Sequence, residues 1–211
     1  HIDSFFMRNF IRDITEKYGE DFYVFGEFWN SDETANNDYL KNIEYRFDLV
    51  DVKLHHNFFD ASIAGADFDL RTIFDQTLAK NHPESAVTFV DNHDTQRGQA
   101  LESTVEEWFK PAAYALILLR DEGLPCVFYG DYYGISGVFA QESFQEVLDK
   151  LLDVRLNLAH GEQTDYFDDA NCIGWTRQGK DGGQPIAVVV SNDQASSKRM
   201  LVGSEWAGRE F

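Results

Sequence analysis

The sequence predicts an α/β fold that gives way near residue 161 to an all-β segment, and three observations carry that expectation. Short apolar runs alternate with stretches of helical periodicity along most of the chain. The loops between them are short, which predicts parallel strands joined by right-handed crossovers, either as an open doubly wound sheet or as part of a β/α barrel. Beyond Gly161 the helical spacing stops, and short β-prone runs are separated by Gly, Asn and Asp.

From Ile2 to Tyr18 the apolar residues fall at Ile2, Phe5, Phe6, Phe10, Ile11, Ile14 and Tyr18, a spacing near 3.6 that predicts a helix with one wide buried face. Gly19 is the expected stop. Phe22-Tyr23-Val24-Phe25 reads as a strand covered on both faces, with Glu27 at its end. The polar patch from Asn30 to Asp38 reads as a loop, and Arg46 to Val52 as a second strand. Leu70, Ile73, Phe74 and Leu78 have helical spacing, and the strand Ala86 to Val90 runs straight into Asp91-Asn92-His93-Asp94. Pro111 suits the first turn of a helix through Tyr114, Ala115, Leu118 and Leu119 that stops near Gly123. Cys126 to Tyr129 is a fourth strand ending at Gly130-Asp131, and Glu142 to Leu158 a further helix closed by Gly161. In the all-β part the strand candidates are Tyr166-Phe167, Cys172 to Thr176, Ile186 to Val190 and Arg199 to Val202, with Gln178 to Gln184 as a loop.

Composition narrows the function. A chain of 211 residues with 43% hydrophobic and 15% aromatic residues can bury a sizeable core. The net charge of −19, from 37 acidic against 18 basic residues, repels phosphates. Nucleic acid and anionic membrane surfaces are therefore poor partners, whereas a neutral polysaccharide or a cation such as calcium is compatible. No glycine-rich phosphate fingerprint opens any expected helix, which lowers the nucleotide-binding version of the fold. Cys126 and Cys172 sit beside apolar residues, as buried free thiols do, and supply no disulfide framework. No apolar run approaches the ~18 residues of a membrane span. His1-Ile2-Asp3-Ser4 has neither an initiator Met nor a signal pattern, so the true N-terminus is expected to lie upstream.

Glu27 and Asp94 both stand at the C-terminal ends of expected strands, where a β/α barrel gathers its catalytic side chains. Glycoside hydrolysis needs such a meeting, because one carboxyl group protonates the leaving oxygen while other negative charge steadies an oxocarbenium-like transition state. Phe25, Phe28 and Trp29 are expected to desolvate Glu27 and favour its protonated form. Asn92 and His93 add side chains suited to gripping sugar hydroxyls, or to bonding a loop corner. Trp29 either stacks on a sugar ring or caps the core.

These motifs carry a family resemblance. Gly26-Glu27-Phe28-Trp29 resembles the α-amylase segment that holds the general acid/base, and Phe89-Val90-Asp91-Asn92-His93-Asp94 resembles the segment with the transition-state-stabilising aspartate. Gly123 to Asp131 is similar to the last barrel-strand motif of that family, and Ser103 to Pro111 resembles the bacterial liquefying and cytoplasmic members. The likeness runs through essentially the whole chain. It implies the C-terminal half of a (β/α)8 barrel over residues 1–160, followed over 161–211 by the beginning of a β-sandwich domain. It also implies retaining endo-hydrolysis of α-1,4-glucosidic bonds in starch, glycogen or maltooligosaccharides. Glu27 would be the acid/base, Asp94 the stabiliser, His93 a hydrogen-bonding partner of the sugar and Trp29 part of the cleft.

His1-Ile2 looks like the tail of the motif that supplies the family's nucleophilic aspartate, its companion Arg and a substrate-binding Lys, which would then lie upstream of this chain. The isolated chain is accordingly expected to be inactive, and half a barrel to expose strand edges and apolar faces. His1 also resembles a substrate-contacting position whose backbone carbonyl ligates a structural calcium, with the remaining ligands elsewhere. Asn171 and Asn192 stand where acidic ligands of a second calcium would be expected, and their neutrality should weaken it. The likeness of Asn171-Cys172-Ile173 to cytoplasmic relatives tilts localisation toward the cytoplasm. A different class of function, a catalytically silent glucan-binding or structural module, uses the same cleft; so does a transglycosylase, which would give longer or branched products.

Overall fold

The computed structural model describes residues 2–19, 22–180 and 182–209. Its first sheet contains β1 (Phe25–Gly26), β2 (Asp48–Val50), β3 (Ala86–Phe89) and β4 (Leu124–Cys126). They pair in sequence order, every pair parallel. A doubly wound sheet reverses its strand order at a switch point. This sheet does not reverse, so it is a section of a β/α barrel.

Helices supply the crossovers. α1 (Ser4–Tyr18) precedes β1, and α2 (Glu33–Asn42) joins β1 to β2. α3 (Val52–Ala64) and the short α4 (Leu78–Asn81) join β2 to β3, and α5 (Lys110–Leu118) joins β3 to β4. α6 (Tyr129–Tyr133) and α7 (Gln145–Asn157) follow β4. Aspartates start three of these helices by accepting an otherwise unpaired amide: Asp3 from Phe6 at 2.9 Å, Asp32 from Ala35 at 2.7 Å and Asp51 from Leu54 at 3.1 Å. Gly19 ends α1 at φ +100°, its amide donating to the Thr15 carbonyl. Before β4, a side chain at Gly123 would meet the Thr88 methyl at 2.7 Å, and φ there is +78°, so glycine is what lets β4 approach β3.

The second sheet is antiparallel, in the order β5 (Gln163–Asp169), β6 (Cys172–Arg177), β7 (Ile186–Ser191). β6 is buried along its whole length. This sheet docks onto the barrel section through Trp175, whose indole donates to the Leu119 carbonyl at 3.3 Å. The buried Arg120 grips Asp165 at 2.8 and 2.9 Å and lies 5.4 Å from the Trp175 ring centre. Asn192 donates to the carbonyls of Gly65 and Phe68 at 2.7 and 2.8 Å, and Asn171 to that of Ala66 at 2.6 Å. The core is continuous from Ile11 and Leu49 through α5 to Trp175 and Val190. Among the described residues no helix is long and apolar enough to cross a membrane.

Several expectations are corrected. Asn30 to Asp38 is not all loop: α2 starts at Glu33, with Thr34 and Asp38 exposed while Asn36 and Leu40 are buried. α3 fills a stretch to which the sequence reading assigned no element. Leu70 to Leu78 is not one helix but a single 3₁₀ turn, Leu70–Thr72, capped by Asp69, followed by α4; Gln76 at φ +62° interrupts the run. β4 lies earlier than expected and Tyr129 already begins α6. Arg199 to Val202 forms no strand. The wide face of α1 is not buried: Ile11 is 2% exposed, but Phe6 is 59% and Tyr18 64% exposed. Phe25 is 50% exposed, because β1 is the terminal strand of its sheet among the described residues and lacks a cover on one side. Cys126 is exposed rather than buried; Cys172 is buried, and both are free.

Candidate active site

In-register parallel pairing brings the C-terminal ends of the four strands to one rim. A cavity of about 340 Å³ opens there. Glu27, just past β1, lines it together with Phe89, Asn92 and His93 from the end of β3 and Phe128 and Tyr129 from the end of β4. Gly26 brings this segment in closely, since a Cβ at that position would fall 2.6 Å from the Phe47 ring.

Asp94, expected to face Glu27 across the cleft, is not among the residues that line this cavity; its Oδ2 is 3.7 Å from Nε2 of the neighbouring His93, with the two side chains 37% and 73% exposed. Their corner is held from behind. The Asn92 side-chain oxygen accepts the Asp94 and Thr95 amides at 2.9 and 3.0 Å, and the Thr95 hydroxyl accepts the Asn92 amide at 2.9 Å. This is an Asx-type turn closed by a threonine. Trp29 packs at the back of the site, 6.2 Å from Phe89 and 6.1 Å from both His55 and His56.

The aromatic shielding expected for Glu27 is not formed. Glu27 is exposed, Phe28 stacks on Tyr39 at 4.4 Å, and Trp29 turns toward the histidines. His1 lies outside the described residues, so its sugar and calcium contacts belong to the sequence reading alone.

Beneath the rim lies a polar group that sequence reasoning missed. Lys110, fully buried, is 2.8 Å from Asp91 and in contact with Asp131. Tyr114 donates to Asp131 at 2.6 Å. Burial raises the Asp91 pKa to about 6, against the opposing pull of Lys110. His55, also buried, donates from Nδ1 to the Val90 carbonyl at 2.6 Å, and its Nε2 is 2.8 Å from the Ser103 hydroxyl. Burial lowers its pKa to about 4, keeping the ring neutral. The one signal available in the sequence was a lysine set between Phe109 and Pro111 in an apolar stretch.

The described residues contain no group of three or more His, Cys, Asp or Glu placed to hold a metal ion. Where Asn171 and Asn192 approach the carbonyls of residues 65–68, their amide N–H groups already occupy those oxygens.

A parallel β/α rim with carboxylates and a histidine around one cavity defines a section of a β/α barrel of the kind that gathers functional side chains at its strand ends. The alpha-amylase catalytic-domain family model matches residues 3–189, and the chain belongs to that family. It is 45% identical to the glucan 1,4-alpha-maltohexaosidase of Bacillus sp. (strain 707), with 99% of this chain and 40% of that protein covered. It is 43% identical to the alpha-amylase of Geobacillus stearothermophilus, with 100% and 39% covered. The chain thus spans about 40% of the length of these curated relatives. Among solved structures, the cyclic alpha-maltosyl-(1→6)-maltose hydrolase of Arthrobacter globiformis shares the fold at a TM-score of 0.61 and 24% identity, over 90% of this chain and 46% of that one.

Proposed function

We propose that the protein containing this chain is an endo-acting, retaining hydrolase of α-1,4-glucosidic bonds in starch, glycogen or maltooligosaccharides. Residues 1–160 form the second half of its catalytic barrel, and residues 161–211 begin its β-sandwich domain. Glu27 protonates the glycosidic oxygen and then, as a carboxylate, takes a proton from the incoming water. Asp94 supplies negative charge to the oxocarbenium-like transition state, and His93 hydrogen-bonds a sugar hydroxyl at the point of cleavage. Phe89 and Phe128 offer apolar surface to the sugar faces, with Trp29 supporting Phe89 from behind. The nucleophilic aspartate of the family has no counterpart among these residues, so the isolated chain is not expected to turn over. No step passes through calcium.

The observation that carries this reading is that Glu27 and His93, far apart in sequence, line one cavity at the barrel rim, with Asp94 beside His93. In the intact protein, Glu27→Gln is expected to slow release of reducing ends from soluble starch by ~10²–10⁴-fold, the range for a lost general acid/base. A Glu27→Gln protein that hydrolyses starch at the wild-type rate would overturn the assignment.

A further inference from the structure

Lys110 takes no part in the chemistry proposed above, yet it is the only cation in contact with both Asp91 and Asp131 among the described residues. Its Nζ also lies 2.9 Å from the Gln141 side-chain oxygen. Burying one ammonium and two carboxylates carries a desolvation cost that an apolar cluster of the same volume would avoid.

Two arms of hydrogen bonds leave this group for opposite walls of the cavity. Toward β3, the Thr95 hydroxyl donates to Asp91 at 3.0 Å while accepting the Asn92 amide at 2.9 Å; the Asn92 side chain in turn holds the Asp94 amide at 2.9 Å. Toward β4, the Tyr114 hydroxyl donates to Asp131 at 2.6 Å and accepts the Phe128 amide at 3.4 Å, while Gln141 donates to Asp131 at 2.7 Å. One arm ends on the corner carrying His93 and Asp94, and the other on the wall formed by Phe128 and Tyr129.

We propose that Lys110, bridging Asp91 and Asp131, is a positioning residue that sets the separation of the two loops lining the sugar cleft and thereby the orientation of His93 and Asp94. The inference rests on the hydrolase reading above. An ammonium held by two carboxylates has a narrow range of distances open to it, and through Thr95 and Tyr114 that constraint reaches both loops. Because a buried ion pair cannot relax into solvent, the spacing is carried by the fold before any sugar arrives, which is what preorganisation requires.

Lys110→Met leaves two buried carboxylates facing each other and endangers the fold, so the test uses variants that keep the ion pairs and cut one arm each. In the intact protein, with maltoheptaose as substrate, Thr95→Val is expected to lower kcat by about ten- to a hundredfold with KM within about twofold, the cost of a small misplacement of reacting groups. Thr95→Ser, which keeps the hydroxyl, is expected to restore most of that loss. Tyr114→Phe is expected to act on the other wall, raising KM by more than it lowers kcat. Independently of turnover, amide hydrogen exchange at Asp94 should quicken in Thr95→Val and stay slow in Thr95→Ser. The proposal is overturned if Thr95→Val keeps wild-type kcat and wild-type Asp94 exchange, or if the Val and Ser variants lose activity equally. A wild-type protein that leaves maltoheptaose intact would instead defeat the hydrolase reading, and the exchange measurement would still decide the positioning role.

Discussion

The two carboxylates proposed to do the chemistry sit in opposite kinds of surroundings. Asp94 belongs to a corner stitched to a buried core: β3 is fully buried between β2 and β4, and Asp91 and Thr95 anchor the turn from below. Glu27 follows a terminal strand whose Phe25 is half exposed, beside a helix whose Phe5, Phe6 and Phe10 face outward. A side chain in a β/α sheet is held as well as the strands on its two sides allow. β3 has a neighbour on each side, and β1 has one among the described residues.

The contrast can be attacked from its strong side first. Lys110→Met removes the cation that Asp91 and Asp131 share, and is expected to cost ~3–5 kcal/mol of stability, the usual result of breaking a buried pair, read as a lower midpoint of urea unfolding. Next comes the response to pH. Asp51 and Asp91 are raised to about 6 by burial and His55 lowered to about 4, also by burial. The raised carboxyls contribute stability that is complete below their unfolded values and is lost as pH rises through 6. The depressed histidine contributes stability present above its unfolded value and lost as pH falls toward 4. Between pH 4 and 6 the two trends oppose each other, so His55→Gln, which removes the one that rises with pH, should steepen the loss of stability as pH rises from 4 to 6. Carbon NMR titration of the carboxyls should find Asp51 and Asp91 with midpoints near 6. On the weak side, Phe5→Ser with Phe10→Ser should change stability by no more than ~0.5 kcal/mol each, since neither ring is buried, while reducing self-association in light scattering.

How far the sequence revealed this molecule follows the same divide. β3 and β6 were legible because their runs are buried along their whole length, and β7 and α7 because a β-branched run and a helical spacing mark the element, although α7 fully buries only Leu148. α2 was not, because a polar helix with a solvent face has the composition of a loop; its Asp32 cap was the overlooked cue. The apolar stripe of α1 correctly signalled a helix and wrongly signalled burial, since periodicity reports a face and not what covers it. At the site, the cue in the sequence was the placement of Glu27 and Asp94 at strand ends; the cavity is lined by Glu27 and His93, and Asp94 is not among its lining residues. Trp29 packs against Phe89 and the histidines. The Lys110 group was hidden because its members come from the end of β3, the start of α5 and the first turns of α6, and no local pattern links them.

The order of the strands bears on how the chain acquires its shape. Each strand of the first sheet pairs with the one made just before it, and the β5, β6, β7 sheet repeats the habit with hairpins. During synthesis β2, β3, β4, β6 and β7 each meet a partner that has already left the ribosome. The hairpins of the second sheet close over short separations, whereas the parallel pairs of the first must wait for the helical crossovers between them, so the second sheet is the one built to form quickly.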